Sequence, residues 1–183
     1  DLLDASVRER FGEWIARRRA GEPLQHIVGT APFRHLEVEV TPDVLIPRPE
    51  TEVLADLAIE DLREMHAIMA ASGSVRPLRV LDLGCGSGCI ALAIATEAEE
   101  AGYAPVEVIA TDISASALAV AARNIERYGA EDSVRLLEGD LYDALDAEAA
   151  EDAFDLIVSN PPYVPDAAME QLPAEVADHE PVQ

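Results

Sequence analysis

Seven residues, Asp82-Leu83-Gly84-Cys85-Gly86-Ser87-Gly88, constrain the fold more than any other stretch of the chain. Three alternating glycines let the backbone take left-handed conformations and let another molecule approach the main chain closely. Upstream, residues 78–83 form an apolar run of strand length; downstream, Ile90-Ala91-Leu92-Ala93-Ile94-Ala95 is apolar and helix-forming. A strand, a glycine turn and a helix, in that order, make the unit from which open parallel α/β sheets are built. The unit recurs. Residues 106–110 read as a second strand closing on Thr111-Asp112, and Ser114 caps a helix over 115–128 that Gly129 ends. Residues 134–137 read as a third strand before Gly139-Asp140-Leu141, and 154–158 as a fourth before Asn160-Pro161-Pro162-Tyr163. Residues 144–152, acidic and Ala-rich, read as a connection. A sheet of four strands would leave the apolar fourth at an edge, so further strands are expected to be missing.

Before residue 78 the pattern is different. Val7, Phe11, Trp14 and Ile15 recur at helical spacing over residues 4–19, with Arg17-Arg18-Arg19 in the last turn and Gly21 as a stop. This helix begins so near residue 1 that it reads as the tail of something longer. Residues 22–33 carry Pro23, Gly29 and Pro32 and read as irregular, with His26 and His35 packed or exposed rather than catalytic. Leu36-Glu37-Val38-Glu39-Val40 alternates as a half-buried strand and should pair with Val44-Leu45-Ile46 across Thr41-Pro42-Asp43. Pro47-Arg48-Pro49-Glu50-Thr51-Glu52 opens a helix with proline and acids in its first turn, and Ser72-Gly73-Ser74 closes it.

Composition narrows the partners. The formal charge is -23, and all 13 basic residues are Arg. Such acidity disfavours nucleic acid, whose binding normally needs a basic stripe for the phosphates. It fits a highly solvated acidic surface, whether from a salt-adapted source or a biased genome. No apolar run approaches the roughly 18 residues of a membrane span, and no signal-peptide layout opens the chain. Cys85 and Cys89 are the only cysteines, which implies no disulfide framework, and two lone ligands do not make a zinc site. A cytoplasmic protein is expected.

Three features carry chemistry. Gly84, Gly86 and Gly88 give G-x-G-x-G, not the six-residue dinucleotide spacing. Asp112 ends the second strand, where an open α/β sheet presents an acceptor to a ribose diol, and Asp140 follows the third. Together they point to a nucleoside-bearing cofactor lying across the C-terminal strand edge. At the end of the fourth strand, Pro161 and Pro162 carry no N–H, so the turn offers carbonyl acceptors with few competing donors. Asn160 adds a side-chain carbonyl and Tyr163 a flat face, a set suited to gripping a planar NH2 group through both its protons.

On these residues the chain resembles the HemK/PrmC family of class I S-adenosylmethionine-dependent methyltransferases. The resemblance runs through residues 19–29, Phe33, Leu45-Ile46-Pro47-Arg48-Pro49-Glu50-Thr51-Glu52, 82–88, Asp112 and 160–163; the residue 46–52 block is the specific part. It implies a Rossmann-like fold with a mostly parallel twisted sheet, preceded by a helix and a β-hairpin and lacking its C-terminal strands. Residues 1–33 would be the remnant of an N-terminal helical domain and linker, and 34–183 the methyltransferase domain, with 34–46 its hairpin. The implied activity is methyl transfer to the glutamine side-chain amide of the GGQ motif in peptide chain release factors. Implied cofactor contacts fall on Gly84, Cys85, Gly86, Ser87, Gly88, Asp112, Asp140, Leu141 and Asn160. Implied catalytic contacts fall on Asn160, Pro161, Pro162 and Tyr163, with Phe33 and Arg48 on the pocket wall. Two other readings fit part of the pattern: an amino-methyltransferase acting on adenine in DNA or RNA, and a module that binds the cofactor without turnover.

Overall fold

The computed structural model describes residues 4–74, 76–103, 105–145, 153–161 and 181. Its centre is a parallel sheet of β3 (Leu78–Leu83), β4 (Val106–Asp112), β5 (Val134–Glu138) and β6 (Leu156–Ser159), in the order β5-β4-β3-β6. Parallel strands need long crossovers, and α4 (Cys89–Glu100) and α5 (Ala115–Tyr128) provide the first two. The chain steps outward from β3 to β4 to β5, then returns to the other side of β3 as β6. Strand order therefore reverses at β3, and open α/β sheets bind ligands at such a reversal, beyond the carboxyl ends of the strands.

Side-chain alternation sorts β3 between two cores. Leu78 and Val80 join one cluster with Ala55, Ala58 and Leu62 of α3 (Pro49–Ser72), most of α4, and Val120 and Ile125 of α5. Leu81 and Leu83 face the other way with Ile109, against Leu137, Leu145 and Phe154. Asp82 points into the larger core. As expected for a four-stranded sheet, β6 lies at an edge, and its Ile157 is exposed.

The N-terminal part departs from the sequence expectations in three ways. Residues 22–33 are not irregular: they form the short helix α2 (Leu24–Val28), closed by Gly29 at φ 86°, and the strand β1 (Thr30–Phe33). The hairpin is correspondingly shifted. β2 (Leu36–Glu39) pairs antiparallel with β1, Thr30 opposite Glu39 and Phe33 opposite Leu36, and residues 44–46 form no strand. Two residues, Arg34 and His35, close the connection, with Arg34 left-handed at φ 53°. Val44 and Ile46 are still buried, but the Val44 N–H bonds to the Thr41 carbonyl (3.1 Å) and turns the chain away from β2. Finally, α1 (Ala5–Arg19) buries none of its residues, and Phe11 is 61% exposed despite the helical apolar spacing.

The hairpin is fastened to the sheet domain by polar contacts. The Arg34 guanidinium pairs with Asp56 on α3 and with Glu97 on α4 (Nη2 to Oε2, 2.8 Å). Asn124 on α5 is fully buried; its Oδ1 accepts from Glu39 N–H (2.6 Å), and its Nδ2 donates to the carbonyls of Glu39 (3.1 Å) and Ser87 (2.9 Å). One side chain thus ties β2 to the glycine turn.

Candidate active site

The glycine turn is built mostly from its own backbone. The N–H groups of Gly84 and Cys85 both donate to the Thr111 carbonyl at 2.9 Å, and Gly88 N–H donates to the Cys85 carbonyl at 2.8 Å. Gly84, Gly86 and Gly88 all lie at positive φ (71°, 54° and 74°), which side-chain-bearing residues rarely adopt. Their surroundings differ. A Cβ at Gly84 or Gly86 would meet nothing within 4 Å, so that face of the turn opens to space. A Cβ at Gly88 would lie 3.0 Å from the Cβ of Ala121, so this glycine permits close packing of the turn on α5. Cys85 and Cys89 are buried; burial pushes the Cys89 thiol up to about 12 and Cys85 well above its ordinary value, which leaves both as neutral packing groups.

Asp112, 5% exposed at the end of β4, clasps the turn from the next strand. Its Oδ2 accepts from Gly86 N–H and its Oδ1 from Ser114 N–H, both at 2.9 Å. Its backbone carbonyl accepts from Gly139 N–H at 3.0 Å, which brings the 139–141 loop alongside. Asp140 begins a 3-10 turn (Leu141–Ala144), and Leu141 sits at φ 47° with its side chain 54% exposed. Ile113, 59% exposed, directly follows the carboxylate. Both are large apolar residues left exposed near the end of β4; the sequence named Leu141 and missed Ile113, whose only signal was its position after Asp112.

Asp82 was read as one end of the glycine stretch and given no role. It is completely buried, its Oδ2 accepts from Ala91 N–H (3.2 Å), and its Oδ1 has no hydrogen-bond partner among the described residues. Burial pushes its carboxyl up to about 7, against the smaller lowering effect of the Ala91 hydrogen bond.

The corner after β6 stands across the strand reversal. Leu83 and Ser159 are the last paired residues of β3 and β6, so the chain continues into Gly84 on one side and Asn160 on the other. Ser159 Oγ donates to the Leu83 carbonyl (2.9 Å), and Asn160 Nδ2 donates to Thr51 Oγ1 (2.9 Å). Asn160 is half-buried and Pro161 exposed; Pro162 and Tyr163 lie outside the described residues. Arg48 immediately precedes α3, half-buried, and its carbonyl accepts from Thr51 N–H at 3.0 Å. Phe33 does not form a pocket wall in this structure. It is 0% exposed within the main core, because the shifted hairpin register turns it inward at the end of β1. No group of three or more potential metal ligands occurs among the described residues, and no helix among them is long and apolar enough to cross a membrane.

Comparison with known proteins agrees with this architecture. The family model of the methyltransferase small domain matches residues 67–176, and that of the PrmC N-terminal domain matches residues 1–29. Release factor glutamine methyltransferase of Bordetella pertussis is 49% identical over 164 residues, which cover 90% of this chain and 53% of that protein. The protein of the same name from Geobacter sulfurreducens is 45% identical over 167 residues, 91% of this chain and 51% of that protein. The chain therefore spans about half the length of the curated relatives it matches. Among solved structures, the N-terminal domain of human METTL16 superposes with a TM-score of 0.54 at 21% identity, covering 76% of this chain and 52% of that one, a likeness of fold. With more than half of its residues matched by that family model, the chain belongs to the methyltransferase small domain family.

Proposed function

We propose that the protein transfers the methyl group of S-adenosylmethionine to the side-chain amide nitrogen of a glutamine, that of the GGQ motif of a peptide chain release factor, leaving S-adenosylhomocysteine. The observation that carries this reading is the placement of Asn160 one step beyond the Leu83–Ser159 pair, across the strand reversal from an open glycine turn. The residues present fit the cofactor. Gly84 and Gly86 leave room against the backbone, the Asp112 carboxylate stands at the end of the neighbouring strand, and the buried Asp82 Oδ1 is an acceptor without a donor. Asp112 would hold the ribose, Leu141 and Ile113 would flank the base, and Gly84–Gly88 would cradle the amino-acid end. The release factor glutamine methyltransferases among the relatives support the glutamine substrate, and the Arg48–Glu52 block supports it from this chain. Translation factors place such an enzyme in the cytoplasm.

The cofactor, when bound, supplies an electrophilic methyl on a sulfonium. The remaining difficulty lies in the substrate, because an amide nitrogen spreads its lone pair into the carbonyl and is a poor nucleophile. Asn160 Oδ1 and the Pro161 carbonyl accept the two N–H bonds and hold the amide plane in place. They also offset the positive charge that grows on nitrogen as the bond forms, an interaction stronger in the transition state than in the ground state. Fixing the amide against the turn adds the positioning contribution. Pro161 and Pro162 bring no N–H to compete for these acceptors. Tyr163 would pack on the amide face, with Arg48 beside the corner. No general base is required, since the methylated amide loses its extra proton to water.

The experiment offers the protein at its natural length a release factor, a release factor with its GGQ glutamine replaced by alanine, and adenine-containing DNA and RNA, each with methyl-labelled cofactor. Label on the intact release factor alone is expected. Label on nucleic acid alone would overturn the reading in favour of an adenine amino-methyltransferase, and binding without any transfer would leave a cofactor-holding module.

A further inference from the structure

We propose that Thr51 is a positioning residue which holds the Asn160 side chain with its Oδ1 free to face the substrate. The side chain of Asn160 is a planar group with an acceptor at one end and a two-proton donor at the other. Only one orientation can receive an NH2 group; reversed, it would set donor against donor. Among the described residues, the other restraints at this corner act on the backbone. Pro161 restricts the backbone of the preceding residue to extended conformations, and the Ser159 hydroxyl bond to the Leu83 carbonyl fixes the strand just before it. The terminal torsion of an Asn side chain, by contrast, is broad and nearly two-fold. Without a partner, both amide senses would be populated.

Thr51 supplies that partner. Its Oγ1 takes the Asn160 Nδ2 proton at 2.9 Å, leaving Oδ1 for the substrate. The hydroxyl is a rigid reference point. Thr51 is buried in the first turn of α3, its own N–H is bonded to the Arg48 carbonyl, and its β-branched side chain has few accessible rotamers. Behind it α3 is anchored by the buried Ala55, Ala58 and Leu62. Residues 109 positions apart in sequence are thereby locked into one hydrogen-bonded pair. The proposal rests on the glutamine-amide reading of Asn160 for its catalytic consequence, but the amide orientation itself is observable without turnover.

Two measurements test it. In the 15N spectrum of the protein at its natural length, the Asn160 side-chain NH2 should show one bonded, slowly exchanging proton. Thr51→Val, which keeps the shape and removes the hydroxyl, should return that pair to solvent-averaged behaviour; Thr51→Ser should preserve it. In methyl transfer to release factor, Thr51→Val should lower kcat about tenfold or more, with cofactor Kd unchanged and kcat restored in Thr51→Ser. In an Asn160→Ala background Thr51→Val should have no further effect on kcat, as expected for two residues acting through one interaction. An Asn160 NH2 pair that is averaged in the unaltered protein overturns the proposal, as does one unmoved by Thr51→Val. A bonded pair with no transfer to release factor by the unaltered protein would uphold the orientation and sink the substrate reading instead. Should Thr51→Val fail to fold, the unaltered spectrum and Thr51→Ser still decide.

Discussion

The glycine turn and the Asn160 corner end neighbouring strands, yet they are held in different ways. The turn is stitched by backbone hydrogen bonds, clasped by the Asp112 carboxylate and tied through Ser87 to Asn124, with Cys85, Ser87 and Gly88 buried and Gly84 exposed. The corner ends β6, which has one neighbouring strand among the described residues, and its described hydrogen bonds run from Ser159 to Leu83 and from Asn160 to Thr51. The turn, proposed as the cofactor ledge, is organised by the adjacent strand β4 and by α5. The corner, proposed to grip an incoming side chain, takes its bond to Thr51 from α3.

This contrast is open to direct attack. The largest effect is expected from Asn160→Ala: methyl transfer should fall about 100-fold or more, in the range for removing one pre-organised hydrogen-bonding group. Cofactor affinity, measured by calorimetry, should stay within about tenfold. Equal loss of both would show that corner and turn are one structural unit. Next comes pH. The Asp82 carboxyl titrates near 3.8 unfolded and near 7 when folded. Below about pH 4 it is neutral in both states and its contribution is complete. As pH rises from about 4 to 7 the unfolded chain gives up the proton that the folded chain retains, so stability is lost across that window and is level above it. Asp82→Asn should remove this slope, on the order of a few kcal/mol between pH 4 and 8. Asp155, whose carboxyl the Arg76 guanidinium holds below its ordinary range, acts in the opposite sense at lower pH. Urea titrations of variant against parent therefore isolate Asp82.

Asp112→Ala removes the acceptor of two backbone N–H groups and the proposed ribose ligand. Cofactor affinity should weaken about 10- to 100-fold, in line with charged hydrogen bonds, and far less change is expected in the exchange of the Asn160 amide. The smallest effect should come from Arg76→Ala. Arg76 pairs with Asp155 (Nη2 to Oδ1, 2.6 Å) at the start of β6 but is half exposed, and such pairs contribute about 0–1 kcal/mol. A larger drop in denaturant midpoint would mean that the edge strand depends on this pair, and with it the corner.

Much of this molecule was legible before any coordinates. The helix over 115–128 was bounded by its Ser114 cap and Gly129 stop, and the structure agrees at both ends. Strand β3, the glycine turn and Asp112 announce themselves because each is a local device: an apolar run, a positive-φ requirement, a carboxylate at a strand end. The hairpin was misplaced for the same reason. Residues 36–40 and 44–46 both look extended, but which segment pairs with β2 depends on a two-residue turn at Arg34-His35 and on Gly29 closing α2. Phe33 was placed on a pocket wall by the resemblance and lies in the core, because residues 22–33, read as irregular, gave no strand from which its inward face could be inferred.

Sequence alone settled the alternation of strands and helices from residue 78 to residue 138 and the residue types at the ends of those strands, since short-range sterics and hydrogen bonding act within a few residues. Tertiary structure decided which of those ends face one another. The return of β6 beside β3 sets Asn160 across from Gly84, Asp82 is left with an unpartnered oxygen in the core, and a threonine at the head of α3 meets an asparagine at the end of the last strand. Such meetings are products of packing over long separations, and no spacing along the chain encodes them.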